Sequence, residues 1–430
     1  ALSFDDPSAF RVKSFSELLR ALGVFCFCSF PMLVNNCGKL MSISRTLLGR
    51  RGLSLLLRPT VYAQFVAGES ESEIAQAMRK MSSLGLRAML AVPIEEDLGE
   101  STGEQRYDNN MRTMLECVRI SHSNTWSKDP MMQLKLTALL SPELCETAAA
   151  LSRAVIFVFS LMSMSCSLQG QINDPHRETT VRLDHGGQSH GRRGASHFLS
   201  LEQFIHAGVN KVRVLVDAEY TYMNPALSLV TMAMMKKFNR DDAWIWNTYQ
   251  CYLKANISVV CTLKAAEGCL DEGFCLGVKL VRGAYMDKER TLAEKEGRPD
   301  PVHTSWEDTN ESYNACLNIM LDAISQTPER YRIIVASHNE ESIRLAGTRI
   351  AELGIDKDGG AVCFGQLLGM CDHVSLTLAK EGYAIYKSVP YGSVEDTVPY
   401  LVRRAQENRT VLQGIRKERD LLKQEFYRRL

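Results

Sequence analysis

Arg403 and Arg404 are adjacent within Tyr400-Leu-Val-Arg-Arg-Ala-Gln-Glu-Asn408, just after the turn Lys387-Ser-Val-Pro-Tyr-Gly392. Two neighbouring guanidiniums repel unless acids neutralise them or an anion lies between them. The planar guanidinium fork fits a carboxylate through two parallel hydrogen bonds. The pair is therefore a candidate clamp for a small carboxylic acid. A solvated basic helix face, with Arg403 and Glu407 as an i,i+4 pair, accounts for the same residues. Further polar groups stand at the ends of apolar runs. They are Glu95 and Glu96, Lys135, Asp217 and Glu219, Gln250, Lys279 with Arg282 and Tyr285, His338, Gln366 with Leu367, and Ser388 with Tyr391. Each alone reads as a satisfied rim residue. So many together would be costly to bury without partners or a ligand.

Several chemistries find no support. GxGxxG after the first strand, GxxxxGK[ST], GxSxG and HExxH are all absent, which leaves nucleotide-phosphate, serine-hydrolase and zinc-protease readings without a carrier. Lys135 or Lys279 would suit a Schiff base, although a lysine near acids is more often ion-paired. His338 would suit a general base, or a histidine satisfied by its neighbours or by a cofactor.

These groups need elements to hold them. The run ends belong to Leu86–Val92, Gln133–Leu139, Val212–Glu219, Trp244–Gln250, Gly277–Tyr285, Arg332–His338, Ala361–Leu368 and Ala384–Tyr391. Amphipathic stretches such as 225–239, 306–325, 340–354 and 373–382 separate the later ones. Near-continuous apolar strands alternating with helices predict a parallel sheet with both faces covered. Eight such units predict a closed (βα)8 barrel, with function at the C-terminal ends of the strands. A doubly wound open sheet is the alternative. Residues 1–85 read as an N-terminal helical region, with Ser14 and Ser70 as N-caps. Residues 86–430 read as the barrel with a C-terminal helix. The stretch 151–205 is atypical, and its Gly/Ser/His/Arg-rich part 166–197 reads as a flexible insert. A ninth apolar run, Ile257–Leu263, fits no strand of this scheme.

The chain has 430 residues, no net formal charge and thirteen cysteines, an odd number without CxxC or zinc spacing. Zero net charge argues against nucleic acid as a partner. The cysteine pattern predicts reduced thiols in a reducing compartment such as cytosol or mitochondrial matrix. Leu22–Val34 and Ala154–Leu168 are too short to span a bilayer. Residues 15–60 carry Lys39, Arg45, Arg50, Arg51 and Arg58 among leucines, a pattern suited to peripheral membrane contact or to a packed helical layer. A targeting presequence is expected to be absent from this chain, which does not begin with Met.

Lys279-Leu-Val-Arg-Gly-Ala-Tyr285, Val335-Ala-Ser-His-Asn339, Phe364-Gly-Gln-Leu-Leu-Gly-Met370 and Tyr400–Asn408 resemble the flavin-dependent proline dehydrogenase family, as do Val216-Asp-Ala-Glu219 and Trp246–Gln250. The likeness covers about 1–150 and 208–430, while 251–276 looks altered. Within the family it is most similar to the animal hydroxyproline dehydrogenases, through Cys363–His373 and Arg404–Arg409. The resemblance implies a distorted (βα)8 barrel and bound FAD. Trans-4-hydroxy-L-proline would be oxidised to 1-pyrroline-3-hydroxy-5-carboxylate by hydride transfer from ring C5 to flavin N5. Electrons would pass to a quinone on the matrix side of the mitochondrial inner membrane. Proline oxidation to 1-pyrroline-5-carboxylate is the near alternative, and a Schiff-base barrel lyase a distant one.

By the same resemblance Arg403 and Arg404 bind the substrate carboxylate. Lys135, Asp217, Tyr285, Leu367 and Tyr400 shape the pocket, and Glu95 helps close it. Gln250, Lys279, Arg282, His338 and Glu407 face FAD, with Lys279 where bacterial relatives often carry arginine. Ser388 stands where proline-specific members hold a tyrosine against the ring. Serine removes that bulk and offers a hydroxyl to a 4-hydroxylated ring.

Overall fold

The computed structural model describes residues 2–94, 104–123, 127–139, 212–254, 267–269, 271–410 and 412–430. Glu95, Glu96, the insert 151–205 and the run Ile257–Leu263 lie outside the described residues, and so does the side chain of Glu407.

Eight parallel strands close into a barrel in the order β1 to β8. They are β1 (Arg87–Ala91), β2 (Met131–Leu134), β3 (Arg213–Val216), β4 (Ile245–Gln250), β5 (Leu276–Val281), β6 (Tyr331–Ala336), β7 (Val362–Leu367) and β8 (Ile385–Pro390). β8 returns to β1 with Met89 opposite Ser388 and Ala91 opposite Pro390, which closes the ring. The open sheet is thereby excluded.

Side-chain alternation explains why these runs read as almost uniformly apolar. Leu90, Met132, Leu134, Val214, Val278, Val335 and Phe364 point outward into the layer beneath the helices. Met89, Met131, Leu215, Trp246, Ile334, Cys363 and Tyr386 point inward and fill the barrel. Both faces are buried, so both carry apolar side chains. Trp246 fits because its neighbour on β5 is Gly277. A Cβ there would stand 2.6 Å from the indole.

Two strands differ from the sequence expectation. β2 starts at Met131 and stops at Leu134, where a 3-10 turn over Leu136–Ala138 takes over. β5 stops at Val281 because Arg282 turns away from the ladder, and Tyr285 becomes the N-cap of the helix Met286–Lys295.

The N-terminal segment wraps the barrel. Ser14 and Ser70 both form capping boxes, with Glu17 and Glu73, at the starts of the helices Phe15–Cys28 and Glu71–Ser83. Satisfying two orphan amides at each start stabilises a helix end by about 1 kcal/mol. Between them run the helices Pro31–Asn35 and Cys37–Leu57. Phe10, Leu18, Leu22 and Phe25 pack with Leu421 and Leu422 of the last helix, Leu412–Arg429. Tyr62, Phe65 and Val66 pack with Met370, Tyr400 and Leu401. At Gly369 (φ +75°) a Cβ would lie 2.0 Å from the Gln64 carbonyl, so the loop leaving β7 seats directly on this segment.

Candidate active site

Inward parity continues past the strand ends, and there it carries the polar residues. Asp217 follows β3, Gln250 ends β4, Lys279 lies on β5, His338 follows β6, Leu367 ends β7, and Ser388 lies on β8. The C-terminal mouth therefore gathers side chains from six strands and from the helix Val394–Thr410, which supplies Tyr400, Arg403 and Arg404.

Lys279 Nζ donates to Asp217 Oδ1 at 2.5 Å, across β4. Lys135 Nζ donates to the Ile94 carbonyl at 2.7 Å. Thr137 Oγ1 donates to Glu219 Oε1 at 2.6 Å. Glu219 is buried, and burial raises its pKa despite the charge of Lys135. Gln250 Nε2 donates to the Glu219 carbonyl at 2.8 Å and its Oε1 accepts from Asn224 at 2.5 Å. That chain of bonds fixes the loop between β3 and its helix.

Arg404 is buried and Arg403 half-buried, so the pair does not form a solvated basic face. The Arg404 guanidinium carbon lies 4.9 Å from the centroid of the Tyr400 ring. Tyr285 sits 4.7 Å, centroid to centroid, from Tyr220. Burial drives the Tyr285 phenol well above its usual pKa, while Arg403 beside it pulls the other way. Arginine, two tyrosines and the Lys279–Asp217 pair thus share one rim.

His338 Nε2 accepts a hydrogen bond from the Leu367 amide at 3.4 Å. An accepting Nε2 places the proton on Nδ1 and leaves the ring neutral. Burial, then Lys387 and Arg404, push its pKa down to about 3. Arg282 departs from the mouth. Its Nε donates to Ser337 Oγ at 2.9 Å, its other nitrogens reach Asn310 and Ser342, and its carbon lies 4.4 Å from the Tyr313 ring centroid. It braces the helices that follow β5 and β6.

Two residues of this region were not singled out from sequence. Lys387, 1 % exposed, points outward from β8. It pairs with Asp372 at 2.8 Å and donates to the Leu367 and Met370 carbonyls at 3.2 and 2.7 Å. It pins the loop after β7. Gln133 lies on the inward face of β2 and accepts from Ser388 Oγ at 2.6 Å. Its parity with Lys135, two residues on, was the available signal. Among the described residues no cluster of His, Cys, Asp and Glu could hold a metal ion.

A closed parallel barrel with its ionisable groups collected at the C-terminal mouth defines an α/β-barrel enzyme. The family model "Proline dehydrogenase" matches residues 74–417, and the chain belongs to that family. It is therefore a dehydrogenase. The whole chain aligns at 52% identity with the hydroxyproline dehydrogenase of Xenopus laevis, covering 91% of that protein. The human protein of that name is 44% identical, over all of this chain and 94% of its own length. Drosophila melanogaster "Proline dehydrogenase 1, mitochondrial" is 31% identical over all of this chain and 81% of that protein. Among solved structures, proline utilization A from Bdellovibrio bacteriovorus superposes with a TM-score of 0.64 at 20% identity. It covers 93% of this chain, which spans 37% of that longer protein, and supports the fold.

Proposed function

We propose that this chain oxidises trans-4-hydroxy-L-proline to 1-pyrroline-3-hydroxy-5-carboxylate, with FAD as cofactor and a quinone as final acceptor. The carrying observation is Ser388. It lies buried on β8, beside Leu367 on β7 and Met89 on β1, where a bulkier side chain would occupy the ring's space. Arg403 and Arg404 bind the carboxylate and so orient the ring. Lys135, Asp217, Tyr285, Leu367 and Tyr400 shape the pocket, with Glu95 closing it. Proline, smaller and lacking the hydroxyl, is a weaker substrate of the same site.

The donor set fits a flavin. Cations at Lys279, Arg403 and Arg404 favour an electron-rich ring system, and a neutral His338 beside them keeps that field from growing prohibitive. Lys279 and His338 would hold it, with Glu407. Gln250 and Arg282, bonded within the protein, would set the positions of those neighbours. Bound FAD would supply the two-electron acceptor for the C5 hydride.

Peripheral contact with the matrix face of the mitochondrial inner membrane would bring quinone within reach. No acidic residue occurs from 18 to 68, while Arg20, Lys39, Arg45, Arg50, Arg51 and Arg58 do. Met32, Leu47 and Leu55 are 80, 77 and 78 % exposed on the same segment. Arg50 pairs with Glu395, and Arg58 with Glu69 and Glu73, while the segment itself supplies no acid. Apolar side chains among such cations suit an anionic bilayer surface. Among the described residues no helix is long and apolar enough to cross a membrane. Sedimentation with anionic vesicles, abolished by Leu47→Asp with Leu55→Asp, is the expected result.

The deciding experiment is spectroscopic. Purified protein should be yellow and should bleach anaerobically with trans-4-hydroxy-L-proline faster than with proline. Protein that stays colourless after added FAD would refute the assignment.

A further inference from the structure

Ser388 has a single proton, and its partner in the structure is Gln133: Oγ donates to Gln133 Oε1 at 2.6 Å. A serine so committed offers only lone pairs to anything else. The glutamine's other polar atom, Nε2, makes no hydrogen bond to any described residue and is not sealed from solvent. The two residues sit on β8 and β2, separated by β1. They meet because β1 presents only the methyl of Ala91 inward at that level, in register with Gln133 on one side and with Pro390 on the other.

We infer that Gln133 and Ser388 act together as the subsite that reads the ring hydroxyl, with Gln133 as a specificity-determining residue. Ser388 Oγ accepts the substrate's O–H, and Gln133 Nε2 donates to the substrate's oxygen. A hydroxyl is at once donor and acceptor, and the pair presents one complement to each role. The bond between Ser388 and Gln133 fixes both groups before substrate arrives, so little ordering remains to be done on binding. With proline the serine stays satisfied by Gln133 and only the amide nitrogen loses a partner. Discrimination is then real but bounded, because a site built around a substrate hydroxyl penalises the analogue lacking it in proportion to the polar groups left unpaired. Ser388 alone could not give this arrangement: its proton would be free to turn either way, and one hydrogen bond would be made where two are available.

The inference rests on the hydroxyproline reading above, and the test separates the two. Gln133→Met preserves length and volume and removes both polar atoms. Steady-state kcat/KM for hydroxyproline should fall about tenfold or more, the value of one to two neutral hydrogen bonds, and kcat/KM for proline should fall much less. Gln133→Glu keeps an acceptor for Ser388 and removes the donor, so it should also lower the hydroxyproline-to-proline ratio. In a cycle with Ser388→Ala, the losses for hydroxyproline should be strongly non-additive and those for proline additive. Equilibrium binding of oxolane-2-carboxylate and its 4-hydroxy derivative, whose ring oxygen forbids imine formation, gives the same comparison without turnover. The 4-hydroxy compound should bind wild type more tightly, and the advantage should vanish in Gln133→Met. Wild type that turns over neither substrate, or both equally, overturns the functional reading itself. Wild type that prefers hydroxyproline, with an unchanged ratio in Gln133→Met and Gln133→Glu, overturns the role of Gln133 alone. An unchanged far-ultraviolet circular dichroism spectrum and denaturation midpoint in the variants certify folding.

Discussion

The two ends of the barrel use the same residue types for opposite purposes. At the N-terminal end Arg87, Arg213 and Arg332 point inward from β1, β3 and β6. Three aspartates meet them: Arg87 with Asp129 at 3.1 Å and Asp358 at 2.5 Å, Arg213 with Asp242 at 2.8 Å, and Arg332 with Asp242 at 3.4 Å. The Tyr386 hydroxyl, from β8, closes the ring on the Asp129 carbonyl at 2.9 Å. That end is neutralised by the chain's own carboxylates and plugged. At the C-terminal mouth Lys135, Lys279, Arg403 and Arg404 face Asp217 and Glu219 among the described side chains, and burial has already raised the pKa of Glu219. Among the described side chains the mouth keeps a cationic excess, which the proposed carboxylate substrate would relieve. Charge balance separates a stabilising end from a binding end where residue identity does not.

Removing charge at each end should break this contrast in different measurements. The largest effect belongs to the closed end. Arg213→Met leaves Asp242 half-buried with Arg332 as its remaining cation, so the loss falls below the about 3–5 kcal/mol of orphaning a charge in a fully buried pair. The denaturation midpoint should fall accordingly, while kcat/KM of the folded protein holds. A change in kcat/KM without loss of stability would erase the distinction between the ends.

Arg404→Ala is the mirror experiment. A charge-assisted hydrogen bond to the substrate carboxylate is worth roughly 1.5–3 kcal/mol, so KM should rise about tenfold to 150-fold. Stability should move far less than in Arg213→Met. Unchanged kinetics with a lower midpoint would class Arg404 with the plug. Ser388→Tyr should come next in size. A ring in place of the hydroxyl should lower the preference for hydroxyproline over proline by about tenfold. A ratio that does not move would remove β8 from specificity.

The barrel was legible in sequence because both strand faces are buried, so each strand announced itself as an apolar run with a polar end. Capping chemistry was equally local, as Ser14 with Glu17 and Ser70 with Glu73 show. Boundaries set by neighbours were less visible. β2 begins two residues earlier than its run suggests, so Met131, Gln133 and Lys135 share the inward face and Gln133 went unnoticed. Lys387 and Ser388 are adjacent in one conspicuous motif, yet parity sends the first outward to Asp372 and the second into the pocket. Arg282 sits inside the most recognisable motif of the chain, but its guanidinium lodges between Tyr313 and Ser342. Which face a side chain takes depends on register across the ring, and register is a property of the closed sheet.

His338 offers the mildest and most specific test of the mouth's positive field. Its usual pKa, about 6.5, falls to about 3 in the folded protein through burial and the charges of Lys387 and Arg404. The unfolded chain therefore binds a proton at His338 that the folded chain refuses, from pH 6.5 downward to about 3. Stability is gained as pH rises through that window and lost as pH falls through it. Because the ring is only half-buried, its share by pH 5 comes to about 1–2 kcal/mol. His338→Gln keeps an acceptor for the Leu367 amide and cannot titrate. Its unfolding free energy should decline less steeply between pH 6.5 and pH 5 than that of wild type. The same substitution in an Arg404→Ala background should gain less, since one source of the depression is already gone. Equal gains in both backgrounds would mean that burial alone silences the histidine, and that the mouth's field is weaker than the contrast between the two ends requires.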